Sequence, residues 1–395
     1  MTETATPADA APDALASVLA DAPFVRLVAT EDGDALAAAG LIATALRGVG
    51  TPFQVRVARD PASEAGESDD ASDGDRSAPD DTVVTIGAAA GPRSIPGTAC
   101  PASTTAFALA RELGDEPDAV LALAGVVAAE SVPGTDGSGD ALSAAEDAGL
   151  VRRRPGVAIP TADLADGLAA STLVRTPYSG DPEATRTAVA DLDPSTTPDD
   201  DAHRRLASLV AVDAVAAESA SARAASAVER ALRPYAVDTP FATVGGYADV
   251  LDALAREEPG TGIALALADE PSEALRTAAL DVWRDHGLAA HRAIDEATTG
   301  RYDGCIVARV DAASTTLPTV ARLVRDFRSP EPVAVAVDEA SGELAVSAVD
   351  HAGIGTVCRR VAVEFDGDGW GSETRGRIDV NGDTTETLAA LREAL

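Results

Sequence analysis

The chain contains no lysine: its 31 basic residues are all arginine, set against 65 aspartates and glutamates, for a formal net charge of −34. Without lysine there is no P-loop of the G-x-x-x-x-G-K-[ST] form, no Schiff-base lysine and no pyridoxal chemistry. Cysteine is scarce as well. Cys100, Cys305 and Cys358 are odd in number and form no C-x-x-C pair, which excludes a disulfide framework and a zinc knuckle and suits a reduced cytosol. Histidine occurs only at positions 203, 286, 291 and 351, too few to supply imidazoles to a two-metal hydrolytic centre. His286 and His291, five apart, do not share a helix face well and are expected at the surface. No segment reaches the roughly 18 consecutive apolar residues of a membrane span, and the N-terminal stretch has no basic region, so a cytoplasmic protein is expected.

What is present reads as adaptation to salt. Aromatics are 3% of the chain, there is one methionine, and the interior is rich in alanine under a carboxylate-heavy surface. That composition suits the cytosol of an extreme halophile, where molar salt cuts the screening length to roughly 3 Å and damps self-repulsion. Net charge therefore does not exclude nucleic acid, since local arginine clusters outweigh the total.

With 395 residues, two domains are expected. Residues 1–20 read as an acidic leader and short helix. Strands are expected over 24–29, 53–58 and 82–86, with helices over 34–47, 103–113 and 118–130, an alternation that argues for an α/β domain with a mainly parallel sheet over 21–195. Within it, residues 60–81 are polar, acidic and rich in Pro, Gly and Ser, and are expected to form a disordered insertion. Residues 196–238 contain an Ala-rich run, 202–232, read as one long connecting helix. A smaller α/β domain over 239–395 follows, with strands expected at 262–268, 304–310, 333–337, 344–349, 360–365 and 376–380, and helices at 273–293, 316–327 and from 384.

Three constellations carry candidate chemistry. Asp32 and Asp34 lie in a strand-to-helix loop, where paired carboxylates can hold Mg²⁺ or Mn²⁺ over a phosphate or simply cap the helix. Gly369, Trp370, Gly371 and Ser372, followed by Arg375 and Arg377, combine backbone N–H groups for an anion with an aromatic that can stack on a base; the alternative is a turn whose Trp packs on a sheet. Arg152, Arg153 and Arg154 form a basic run that either contacts phosphate or satisfies nearby carboxylates.

In the order and spacing of its motifs the chain resembles the archaeal RecJ-like members of the DHH phosphoesterase superfamily. The first motif, roughly H-x-D-x-D-G, appears as Thr30-Glu31-Asp32-Gly33-Asp34-Ala35, with threonine in place of histidine. The second motif's Asp falls on about Thr85, the Asp-His-His is absent before CPASTTAFALARELG, and Ala129 or Glu130 stands at the fourth motif's Asp. The glycine-rich G-G-G-H loop appears as Gly369-Trp370-Gly371-Ser372, and GLVRRRPGV resembles the group that associates with the GINS complex. The resemblance implies an N-terminal DHH-like domain, a C-terminal DHH-associated substrate domain and a surface for single-stranded DNA.

The same comparison implies that most metal-binding groups are lost. Asp32 and Asp34, the residual catalytic and metal-binding candidates, would hold at most a weak Mg²⁺ or Mn²⁺, and no cofactor is otherwise expected. The expected function is a nuclease-inactive RecJ-like subunit in replication or repair, working with GINS and the MCM helicase or with a RecJ-like paralogue. The eukaryotic replication-helicase subunit of this superfamily, itself without nuclease activity, is a parallel. The alternatives are an active exonuclease drawing on Glu130 or Asp136, and a nucleotide-binding regulatory protein.

Overall fold

The computed structural model describes residues 12–66, 81–88, 93–192, 200–216, 220–350, 353–380 and 384–395. These cluster into two compact units, 1–151 with 250–279 and 152–249 with 280–395. The chain passes between them at residue 151 and within the helices Val244–Glu257 and Glu273–Glu296. Among the described residues no helix is long and apolar enough to cross a membrane.

The first unit is built on four parallel strands, β1 (Phe24–Thr30), β2 (Phe53–Ala58), β3 (Asp81–Ile86) and β4 (Ser94–Ile95), in the order β2-β1-β3-β4. Central β1 buries Val25, Leu27, Val28 and Ala29, as a strand covered on both faces must. Outer β2 alternates, leaving Gln54 and Arg56 exposed. Arg26 of β1 pairs with Asp81 of β3 at 2.6 Å. The helix Gly33–Val49 packs through small residues. A Cβ on Gly40 would stand 2.6 Å from the Ala266 Cβ, and one on Gly125 would stand 2.5 Å from Ser103 and 3.0 Å from Ala37. The alanine-rich sequence thus allows close helix approach where larger side chains would hold helices apart.

The second unit holds a two-stranded ribbon, β5 (Arg152–Arg153) with β6 (Tyr235–Ala236), and a six-stranded mixed sheet. The sheet strands are β7 (Thr298–Tyr302), β8 (Cys305–Arg309), β9 (Val333–Asp338), β10 (Glu343–Ala348), β11 (Asp368–Gly371) and β12 (Arg375–Asp379), in the order β11-β12-β10-β9-β8-β7. Only β8 and β9 pair in parallel; the rest are antiparallel. In β9, Val333, Val335 and Val337 enter a core with Ile354, Cys358, Val361, Leu388 and Leu391, whereas Ala334 and Ala336 face a second core with Leu317, Val320 and Ala290. The period-2 alternation of large and small residues sorts one strand between two layers of helices.

Several expectations are corrected. Residues 262–268, expected as a strand, belong to the helix Pro259–Ala266 and the turn after it. A short apolar run has no decisive period, and here the helix seats Gly262 close against Leu36 and Leu254. Residues 360–365 likewise lie in the helix Ile354–Glu364 and its cap, with a 3.6-residue stripe of Ile354, Cys358, Val361 and Ala362 buried. The single helix expected over 202–232 is two, Asp200–Ala216 and Arg223–Ala231. Of the polar 60–81 run, Pro61–Gly66 is helical, 67–80 lies outside the described residues, and Asp81 opens β3. The expected leader falls mostly outside them too, up to residue 11, as does His351. His286 and His291 are buried, not superficial: His286 Nε2 bonds Thr319 Oγ1 at 2.9 Å and His291 Nε2 bonds the Ser171 carbonyl at 2.9 Å.

Candidate functional site

In the first unit the loop after β1 brings the two motif carboxylates to different tasks. Asp32 is the N-cap of the helix Gly33–Val49, accepting from the Ala35 N–H at 2.8 Å and, on its other oxygen, from the Thr30 hydroxyl. Thr30, standing where the resembled family has histidine, thus holds the cap in place. Asp34 lies inside the first turn and is buried. Its Oδ2 accepts from the Ala102 N–H at 2.6 Å and its Oδ1 from the Ser103 N–H at 2.9 Å.

Ala102 and Ser103 open the helix Ala102–Glu112, whose own N-cap, Pro101, offers no side-chain acceptor. Asp34 is a cap supplied from another helix, filling the position at a helix N-terminus that favours an anion. Burial, and secondarily the charge on Asp32, hold its carboxyl up at about 7, while the hydrogen bonds from Ser103 and Ala102 pull the other way.

Asp252 completes this locus, and sequence reading missed it. Its Oδ1 accepts from the Gly33 N–H at 3.1 Å and its Oδ2 pairs with Arg256 at 2.6 Å, one helical turn on, both largely buried. The signal in the sequence was Asp249 and Asp252 in the otherwise apolar run VLDALA and its preceding turn, because a carboxylate on a buried helix face needs partners. Gly33 is crowded between Ala128 and the Asp252 backbone, each 2.9 Å from where a Cβ would be. Asp136, offered as a further acid, accepts from the Ser131 and Thr135 hydroxyls, and Glu130 adopts φ 63°. Among the described residues no group of three or more His, Cys, Asp or Glu is placed to hold a metal ion.

A protein from Haloarcula marismortui, "Uncharacterized protein rrnAC1427", is 48% identical to this chain over 388 residues, 97% of this chain and 96% of its own. Residues 297–393 match the family described as "Uncharacterized protein rrnAC1427, C-terminal domain". The chain belongs to the rrnAC1427 family.

Solved structures define the fold more widely. CDC45 from Entamoeba histolytica matches with a TM-score of 0.61 at 9% identity, over 97% of this chain and 98% of that one. RecJ from Thermus thermophilus in complex with Mn²⁺ matches with a TM-score of 0.52 at 15% identity, over 97% of this chain but 54% of that one. An exonuclease RecJ bound to manganese matches at 0.51 with 14% identity, over 97% and 94%. Such identities establish architecture alone, and the architecture is the RecJ-like DHH fold, as the motif order implied.

The glycine-rich candidate of this rrnAC1427 family member lies in the second unit and is mostly strand. Gly369, Trp370 and Gly371 belong to β11 and pair with β12, Trp370 opposite Arg377. The Arg377 guanidinium sits 5.3 Å from the Trp370 ring centroid, donates to Glu343 Oε2 and to the Ser314 carbonyl, each at 2.9 Å, and is buried. Gly371, Ser372 and Arg375 remain at least partly exposed. The Ser372 carbonyl accepts from the Gly355 N–H at 2.7 Å, so this turn is tied to the start of the helix Ile354–Glu364.

A second buried polar network in this unit surrounds Asp249, which accepts from the Trp283 indole at 2.9 Å and from the Thr172 N–H at 3.0 Å. Arg322 donates to the Thr172 hydroxyl at 2.7 Å. Beside it, burial first and then the Arg175 charge push His291 down to about 3, so its imidazole is neutral.

Proposed function

We propose that this protein is a RecJ-fold subunit that binds single-stranded DNA in replication or repair and does not cut it. The observation that carries the reading is the employment of Asp32 and Asp34 as helix caps: all four of their oxygens accept hydrogen bonds from Ala35, Thr30, Ala102 and Ser103. A manganese or magnesium ion, such as the RecJ neighbours carry, needs several free hard oxygens. Here it would have to strip a helix N-terminus of its acceptor at Asp34, and Asp252 is neutralised by Arg256. The donor set does not fit a two-metal centre, so no hydrolytic step is assigned.

The similarity to CDC45 over nearly both whole chains supports a place within a larger assembly, with GINS and the MCM helicase or a RecJ-like paralogue as the partners proposed. Incubation with a 5′-labelled single strand and Mn²⁺ in molar KCl should leave the strand intact. Degradation that disappears in the Asp32→Ala, Asp34→Ala double variant would overturn the reading.

A further inference from the structure

The short ribbon of the second unit gathers arginines that the proposed function has not used. Arg152 and Arg153 form β5, opposite Ala236 and Tyr235 of β6. The ribbon continues past the strands: the Arg154 N–H donates to the Pro234 carbonyl at 3.2 Å and the Arg233 N–H to the Gly156 carbonyl at 3.1 Å. Two paired stretches therefore bring Arg152, Arg153, Arg154 and Arg233 together.

In a chain where acids outnumber arginines two to one, pairing is the rule, and Arg26, Arg175, Arg230, Arg256, Arg284, Arg325 and Arg377 all meet carboxylates. Arg152, Arg153 and Arg233 are exposed and make no ion pair among the described residues. Arg154 is half-buried, and its Nε is enclosed without an acceptor. Desolvation first, and then the charge on Arg152, hold the Arg154 guanidinium below its ordinary value, partly offset by Asp200. Like charges at positions i and i+2 of a strand fall on one face, roughly 7 Å apart.

Arg153, on the opposite face from Arg152 and Arg154, lies over the ring of its cross-strand partner Tyr235, 4.7 Å from the centroid. Arg233 adopts φ 56°, a left-handed conformation that a residue with a Cβ enters at a cost of about 1–2 kcal/mol. Such strain persists only where the surrounding structure holds it, and it concentrates at ligand clamps.

We propose that Arg152 and Arg154, which share one face of the ribbon, seat consecutive phosphates of single-stranded DNA. Arginine suits the task in high salt. Counterion release contributes little there, and bidentate hydrogen bonds and stacking survive screening that abolishes simple charge attraction. This inference rests on the single-strand-binding reading and moves its phosphate contacts from the glycine strand, where Arg377 is buried against Glu343, to the ribbon.

The test is fluorescence anisotropy of the full chain with labelled oligo-dT across a KCl series, for wild type, for Arg152→Gln and Arg154→Gln combined, and for Arg375→Gln. Thermal unfolding in the same buffers confirms that each variant folds. The expected result is that the double variant binds at least tenfold more weakly and that its log K against log[KCl] slope is shallower by about 1.4, at roughly 0.7 per phosphate. Wild-type binding that the double variant retains with the same slope, or that only Arg375→Gln weakens, overturns the ribbon while leaving the proposed function standing. No binding by the wild type overturns both.

Discussion

Asp34 illustrates how one buried carboxyl can be read by its titration. Its folded value near 7 lies above the ordinary 3.8, so between those values the folded state holds a proton that the unfolded chain has lost. The corresponding stability is full below about pH 4 and is lost as the pH rises through 7. Asp34→Asn keeps the shape and removes the titration, while turning an amide N–H₂ toward a backbone donor. Relative to wild type, the variant should be less stable at pH 4 and should recover as the pH rises to 8, by at most about 4 kcal/mol. Denaturant unfolding of both proteins across that range checks this, and a constant difference would show that Asp34 ionises normally. His291 acts in the opposite sense. Its depressed value means that stability is lost as the pH falls from 6.5 toward about 3, which makes the wild-type profile flatter than either group alone.

Packing between helices rests on glycine and alanine, and the helix Gly33–Val49 contains its own control. A Cβ at Gly40 would meet the Ala266 Cβ at 2.6 Å and its carbonyl oxygen at 2.9 Å, whereas one at Gly48 meets nothing within 4 Å. Gly40→Ala should therefore destabilise by about 1–3 kcal/mol through overpacking. Gly48→Ala should stabilise by about 0.5–1 kcal/mol through helix propensity alone. Chemical denaturation of the two single variants separates these effects; equal shifts would mean that the two helices do not approach as closely as described. The elements most legible in the sequence were those with a clean period. β9 and β10 declared themselves by Val and Ala alternation, and the helices at 102–112 and 119–128 by length, the second also by its Asp118 cap. The segments 262–268 and 360–365 were misread because short runs of Ala, Val and Leu satisfy either period until a neighbour selects one.

At the scale of the whole molecule the charge dominates. A net charge of −34 without lysine means that dilute buffer exposes strong self-repulsion, which molar salt screens. The thermal midpoint should rise by about 10 °C or more between dilute buffer and molar KCl, corresponding for a chain of this length to about 8 kcal/mol of relieved repulsion. Scanning unfolding in a KCl series measures it, and a midpoint indifferent to salt would remove the halophilic reading of the composition.

The order of the motifs and the α/β class were legible from the sequence, because they are properties of residue identity and spacing along the chain. What Asp32 and Asp34 do was not. A D-x-D loop is compatible with a metal or with a cap, and the choice depended on whether the N-terminus of a helix 68 residues away arrived within hydrogen-bond reach of Asp34. The same holds for Asp252 against Gly33, 219 residues apart, and for the Arg154 N–H against the Pro234 carbonyl. A sequence states which groups exist and which local conformations they favour, whereas long-range packing decides which donors and acceptors meet, and that meeting sets the charge, burial and availability of each group.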